Sequence, residues 1–203
     1  LPLDTALTKR FLPKKFPGKE FTMSNLNNYE GTFVIDPTHS EIGFTARHAM
    51  VTKVRGSFTE FSGTASSEEN LNNAQVNVEI DVNSADTRNA DRDGHLKTGD
   101  FFEVEKFPKI TFTSTEVTAK DDETLVVTGD LTIKDVTRQV ELAAEYEGTA
   151  QDPFGNVRAG FTARTDVDRE DFGLTWNAAL ETGGVLVSKK ITLTLDISAI
   201  KQA

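Results

Sequence analysis

The chain has no cysteine in its 203 residues. That removes disulfides, thiolate metal sites and thiol nucleophiles. Histidine is scarce, with His39, His48 and His95 alone, and none sits at metal-ligand spacing from another His or Glu on one element. Polar aromatics are scarce too, with two Tyr and one Trp against fourteen Phe. Tyr and Trp want a hydrogen-bond partner when buried and Phe does not, so a Phe-rich interior suits a filled dry core or a dry cavity equally. No apolar run approaches the length of a helical membrane span. Cations are outnumbered, and the formal charge is −10. That argues against nucleic acid, a polyanion that needs a cationic footprint. It also disfavours a purely electrostatic attachment to acidic lipid surfaces. There is no glycine-rich phosphate loop, no G-x-S-x-G elbow and no carboxylate pair of glycosidase type.

What is present falls into two parts. Residues 1–22 carry Lys9, Arg10, Lys14, Lys15 and Lys19 against Asp4 and Glu20, a net +3 that leaves −13 for the rest. Pro2, Pro13 and Pro17 interrupt regular structure there, and no continuous apolar stretch of signal-peptide type occurs. Residues 1–22 are expected to be an extension, tag or leader, with Met23 as the natural start and residues 23–203 as a single domain. Without a signal peptide a cytoplasmic location is favoured, an exported one being the alternative.

From residue 29 the pattern is alternation. Val76, Val78, Ile80 and Val82 alternate with Asn77, Glu79 and Asp81, and Ile191, Leu193, Leu195 and Ile197 with Thr192, Thr194 and Asp196. A period of two describes a strand with one dry and one wet face. Strands are expected at about 30–36, 40–48, 54–66, 74–83, 109–118, 124–134, 136–149 and 157–168, with further strand at 171–180 and 185–198. Lys120–Glu123 and Asp152–Asn156 are turns. Many connected antiparallel strands with one apolar face suggest a closed barrel, which has no exposed edge; a sandwich is the alternative. The class is all-β, with one helical insert at about 87–98, where Ser84 or Asp86 can cap the start and Gly99 stands past the end. Gly94 inside it costs about 1 kcal/mol relative to Ala, so packing rather than propensity must hold this helix. A barrel of about eight strands has an interior that side chains can just fill, or that holds one small ligand.

The insert gathers the charged groups of interest. Asp91 and His95 are four apart on one helical face, and an Asp–His pair can orient an imidazole for general base work. No nucleophile is marked nearby. The favoured reading is that Arg92, Asp93 and His95 tie the helix to strand ends by hydrogen bonds, with no catalytic constellation.

Three groups of residues together resemble the YceI-like family, lipocalin-like barrels associated with polyisoprenoid lipids. They are Phe33-Val34-Ile35-Asp36-Pro37-Thr38-His39-Ser40, Arg92-Asp93-Gly94-His95-Leu96 with Phe101-Phe102, and Gly129-Asp130-Leu131-Thr132-Ile133 with Val136-Thr137-Arg138. Asp168-Arg169 and Asp171-Phe172-Gly173-Leu174 close the match, which runs from about Phe33 to Ile200. The resemblance implies an eight-stranded antiparallel barrel with a helical insert and an elongated apolar tunnel. It implies a long isoprenoid ligand, a polyprenyl phosphate or an isoprenoid quinone, for storage, sequestration or transport. It carries over no catalytic residues, and no separate cofactor and no metal are expected. Many relatives are exported to the bacterial periplasm, which is the alternative location here. On this reading Phe44, Phe58, Val78, Ile80, Phe112, Leu131 and Phe161 are expected on the tunnel wall, with Leu96 and Phe101 closing a mouth. Arg92, Asp93, His95 and His48 are expected at a head-group rim. Expected partners are an isoprenoid lipid and, symmetric pairs being common, a second copy of the chain, with no nucleic acid and no membrane span. The alternatives are an enzyme acting on isoprenoid or quinone substrates, and a stress-related scaffold with a filled barrel.

Overall fold

The computed structural model describes residues 29–203. The expected boundary at residues 22–23 lies outside the described residues. Among the described residues eleven strands form one antiparallel sheet: β1 (Gly31–Ile35), β2 (Glu41–His48), β3 (Thr52–Phe58), β4 (Phe61–Ser67), β5 (Gln75–Asp81), β6 (Ala85–Asp86), β7 (Lys109–Ala119), β8 (Thr124–Ile133), β9 (Val136–Gln151), β10 (Val157–Asp168) and β11 (Val187–Lys201). The ladder runs β1-β4-β5-β7-β8-β9-β10-β11, and β11 returns to β1 through Phe33↔Lys201 and Ile35↔Ala199. The result is a closed eight-stranded barrel. It has no free end because every hydrogen-bonding edge of that ring meets another.

Three members of the ring are broken strands. β1 and β2 both pair with β11, β4 and β3 pair with β1 and β2 in turn, and β5 and β6 pair with β4 and β3. Short polar side chains make two of the breaks. Asp36 accepts from Thr38 N at 3.0 Å and starts a 3-10 turn at Pro37–His39. Asp81 accepts from Asn83 N at 2.8 Å and starts another at Val82–Ser84. Such local side-chain bonds compete with the sheet ladder. The third break, at Thr59 and Glu60, divides the single strand expected over 54–66. The strand expected at 171–180 does not form. Arg169–Phe172 is a 3-10 turn closed by Gly173 in the left-handed region (φ 76°), and an irregular segment follows. Arg169 explains it: this buried guanidinium donates to the carbonyls of Leu174 and, at 3.0 Å, of Ser188, and so holds the segment in a curl.

The barrel has two distinct ends. The connections β4–β5, β7–β8 and β9–β10 lie at one, the hairpin end. The connections β2–β3, β8–β9 and β10–β11 lie at the other, together with helix α1 (Ala90–Lys97). The helix starts later than expected. Its cap is Asn89, which accepts from Arg92 N at 2.9 Å, because Asp86 is still in the ladder and accepts instead from Arg88 N. No residue of α1 is buried. It is anchored by what flanks it: Thr87 before it, and Phe101 and Val104, both buried, after it. With Val82, Phe172 and Leu174 they fill the helix end of the core.

Candidate ligand cavity

Inside the ring the inward residues do not meet. They leave a cavity whose volume, open to the centre of a water molecule, is about 210 Å³. One buried water needs roughly 10–15 Å³ by the same measure. Ile80, Ile110, Phe112, Leu131, Ile133, Leu193 and Leu195 form its walls towards the helix end, with Phe58 and Ile42. Towards the hairpin end the lining includes the small side chains of Ala65, Ala74, Ala144, Ala163 and Ser67, among the larger Tyr29, Leu71, Val117, Leu125 and Phe161. Small side chains on opposing strands cannot reach across a barrel of this size, which is why the space stays open there. Among the described residues the lining contains no Asp, Glu, Lys, Arg or His.

One polar group stands out in this lining. The Tyr29 hydroxyl is buried and has no hydrogen-bond partner among the described residues. Its ring is stacked on Phe33 at 4.3 Å and meets Phe161 edge-on at 5.5 Å, so the phenol cannot swing out to water without losing both contacts. Burial, with Tyr146 adding to it, pushes its pKa above the usual phenol range, so it remains a neutral donor. A buried polar group without a partner costs roughly 1–3 kcal/mol, and a ligand or a water could relieve that cost. Sequence reasoning missed Tyr29 because it precedes the first strand and belongs to no alternating run. It also passed over Ala65 and Ala163, whose inward parity was the available signal.

Of the expected wall residues, Phe58, Val78, Ile80, Phe112, Leu131 and Phe161 line the cavity. Phe44, Leu96 and Phe101 do not. Phe44 lies over its cross-strand partner Gly56, where a Cβ would meet the Phe44 ring, and packs on Phe58 at 5.3 Å. Leu96 and Phe101 belong to the packed helix end, with Phe101 against Trp176 at 5.3 Å.

The expected rim residues are likewise placed outside the lining. Arg92 donates to the hydroxyl and carbonyl of Thr87 at 2.7 and 2.8 Å, and Asp93 accepts from Thr87 N at 2.8 Å and from its hydroxyl at 2.5 Å. Thr87 is 4% exposed, so this network fastens α1 to β6. His95 pairs with Asp100 at 2.8 Å rather than with Asp91, and its ring meets the edges of Phe101 and Trp176. His48 is exposed at the end of β2, paired with Thr52 and Val187. His39 caps nothing in the cavity; it bonds Asp36 at 2.7 Å. Asp36 also takes Arg158 at 2.6 Å, and Arg158 reaches Asp152 at 2.9 Å, so the break after β1 is tied to the β9–β10 turn. Hydrogen bonds from Thr38, Arg158 and His39 hold the Asp36 carboxyl well below the usual carboxylate range. Among the described residues no three His, Asp or Glu side chains converge as a metal site would need, and no helix is long and apolar enough to cross a membrane.

Comparison with known proteins agrees with this architecture. A UPF0312 protein from Vibrio vulnificus (strain YJ016) is 41% identical over 145 residues, 70% of this chain and 77% of that protein. The crystal structure of the Campylobacter jejuni YceI protein superposes with a TM-score of 0.66 at 29% identity, over 77% of this chain and 90% of that one. A polyisoprenoid binding domain from Saccharophagus degradans, implicated in plant cell wall breakdown, superposes with a TM-score of 0.66 over 84% of this chain and 98% of that one. At 16% identity that last likeness is one of fold. Residues 33–199 match the model of the YceI-like domain, and the chain belongs to that family.

Proposed function

We propose that the barrel binds one long isoprenoid lipid, with the prenyl tail along the cavity, for storage, sequestration or transfer. The observation that carries this reading is an unfilled cavity lined by uncharged side chains, almost all of them apolar. Each CH₂ removed from water is worth about 0.8 kcal/mol, so a long tail gains much from such a space, although lost freedom on binding offsets part of that gain. The description of the Saccharophagus structure as a polyisoprenoid binding domain supports the same class of ligand. The lining also bears on the head group. With no cation inside, a phosphate would stay in water at the mouth, because an unpaired buried charge is costly. A neutral quinone ring could enter and accept a hydrogen bond from Tyr29. The cavity reaches Ser67, Leu71 and Ala74 around the β4–β5 connection, and we place the mouth there.

Native mass spectrometry of the purified chain, followed by organic extraction, tests the reading. The expected result is one bound lipid per chain with the mass of a polyprenyl phosphate or an isoprenoid quinone. A chain that binds neither class, as purified or after lipid is added back, contradicts it.

A further inference from the structure

The outer wall of the barrel carries a feature that the net charge conceals. A shallow groove crosses β3, β2, β11 and β10, lined by Arg47, Lys53, Arg55, Arg164 and Lys190 among Ser and Thr side chains, with no carboxylate in the lining. Lys190 is paired with Asp166 at 2.6 Å. Arg47, Lys53, Arg55 and Arg164 have no carboxylate partner within 4 Å among the described residues. Arg164 still acts electrostatically on Asp166, but four cations outside any ion pair within 4 Å on one face are out of proportion in a chain of charge −10. Arg47 and Lys53 are cross-strand partners, and Arg55 faces Thr45 two rungs along the same hairpin.

A second observation adjoins the first. The β2–β3 turn ends in Met50 and Val51, which are 53% and 75% exposed, and the neighbouring loop presents Val185. This tip is held in place: Ala49 N donates to Leu186 O at 2.7 Å. At about 3.3 Å per strand residue, Arg47, Lys53 and Arg55 all lie within roughly 15 Å of the tip, little more than one Debye length at 0.1 M salt. The other highly exposed large apolar residue, Phe154, stands alone in the β9–β10 turn, where Arg158 is held between Asp36 and Asp152.

We propose that this face docks on an anionic bilayer surface, with Met50, Val51 and Val185 entering the headgroup layer and the four arginine and lysine side chains meeting lipid phosphates. Apolar insertion beside a cationic patch is the combination that holds a protein reversibly on acidic lipid. The whole-chain charge disfavours a purely electrostatic attachment, but the field that matters is local, and this attachment is not purely electrostatic. The docking does not depend on what the cavity holds.

Co-sedimentation of the full chain with vesicles tests it, using about one part phosphatidylglycerol to two of phosphatidylcholine, with pure phosphatidylcholine as control. The chain should bind the anionic vesicles, ignore the neutral ones, and release in about 0.5 M salt. Each cation contributes about fivefold in affinity, so Arg47→Glu, Lys53→Glu and Arg55→Glu together should weaken binding by ~100-fold or more. Val51→Asp should weaken it several-fold without lowering the melting temperature. If the triple variant does not fold, Arg55→Gln alone should still cost about fivefold. Three results would overturn the proposal: no binding to anionic vesicles, binding indifferent to the groove variants, or binding lost on neutralising Lys9, Lys14 and Lys15 instead. Soluble inorganic phosphate shifting the groove signals in NMR while vesicles are ignored would also overturn it. A chain that carries lipid but ignores vesicles refutes the docking and leaves the cavity reading intact.

Discussion

At the helix end of the barrel Phe101, Val104, Phe172 and Leu174 fill the space between the strands, whereas at the hairpin end Ala65, Ala74, Ala144 and Ala163 leave it open. The strands on both sides alternate in the same way. The side chains that fill the helix end come from segments outside the strands, the stretch after α1 and the turn after β10, whereas the space towards the hairpin end is left by small inward side chains of the strands themselves. The two ends also differ in how polar groups are satisfied. Thr87 and Arg169, both buried at the helix end, make the hydrogen bonds their positions demand. Tyr29, towards the hairpin end, has a buried hydroxyl with no partner among the described residues. On the proposed reading, the open end is where the ligand's tail lies.

The largest test of this contrast is Phe172→Ala. Phe172 is 2% exposed, and deleting a well-packed Phe costs about 3–5 kcal/mol. Urea unfolding should show a midpoint shift of that size, with bound lipid affected only through unfolding. Next comes Thr87→Val, which removes the hydroxyl that Arg92 and Asp93 share while leaving their bonds to the Thr87 backbone, and should cost about 1–3 kcal/mol, read the same way. The sharpest comparison sets two equal substitutions against each other. Ala85→Leu, at a buried packed site, should lose about 1–3 kcal/mol through overpacking. Ala163→Leu, facing the cavity, should change stability by less than about 1 kcal/mol yet weaken isoprenoid binding measurably in a titration. Similar losses at both sites would erase the distinction between the ends. The smallest effect concerns acid. The depressed Asp36 carboxyl contributes stability that is complete above the ordinary Asp value near 4 and is lost as the pH falls below it. Asp36→Asn should therefore lower the melting temperature at neutral pH and flatten its decline in acid.

The contrast also shows what the sequence makes legible. Period-two patterns in β5 and β11 reveal inward and outward faces directly, and the closed ring follows from many such strands with nowhere to leave an edge. The breaks were harder to see. Thr59 and Glu60 carry no proline or glycine, so the division between β3 and β4 has no local signal; it arises because one chain segment serves two different partners, β2 and β1. The strand expected at 171–180 failed for a similar reason, since Arg169 bonds to carbonyls up to nineteen residues away. For the cavity, large apolar residues such as Phe112 and Leu131 announce a wall, but a void is made by the small residues, and alanine on an inward face draws no attention. The charged island around His95 lies outside the cavity lining, and its bonds run to Thr87 and Asp100.

Chain length is the variable that tests the central claim most directly. Delipidated protein can be titrated calorimetrically with geraniol, farnesol and geranylgeraniol, which share a head group and differ only in isoprene units. A tail lying in an open apolar cavity should bind more tightly with every unit added, each tightening the dissociation constant by about tenfold or more before offsets, and Ala163→Leu should blunt the trend. Affinities that stay flat across the three alcohols would contradict the account.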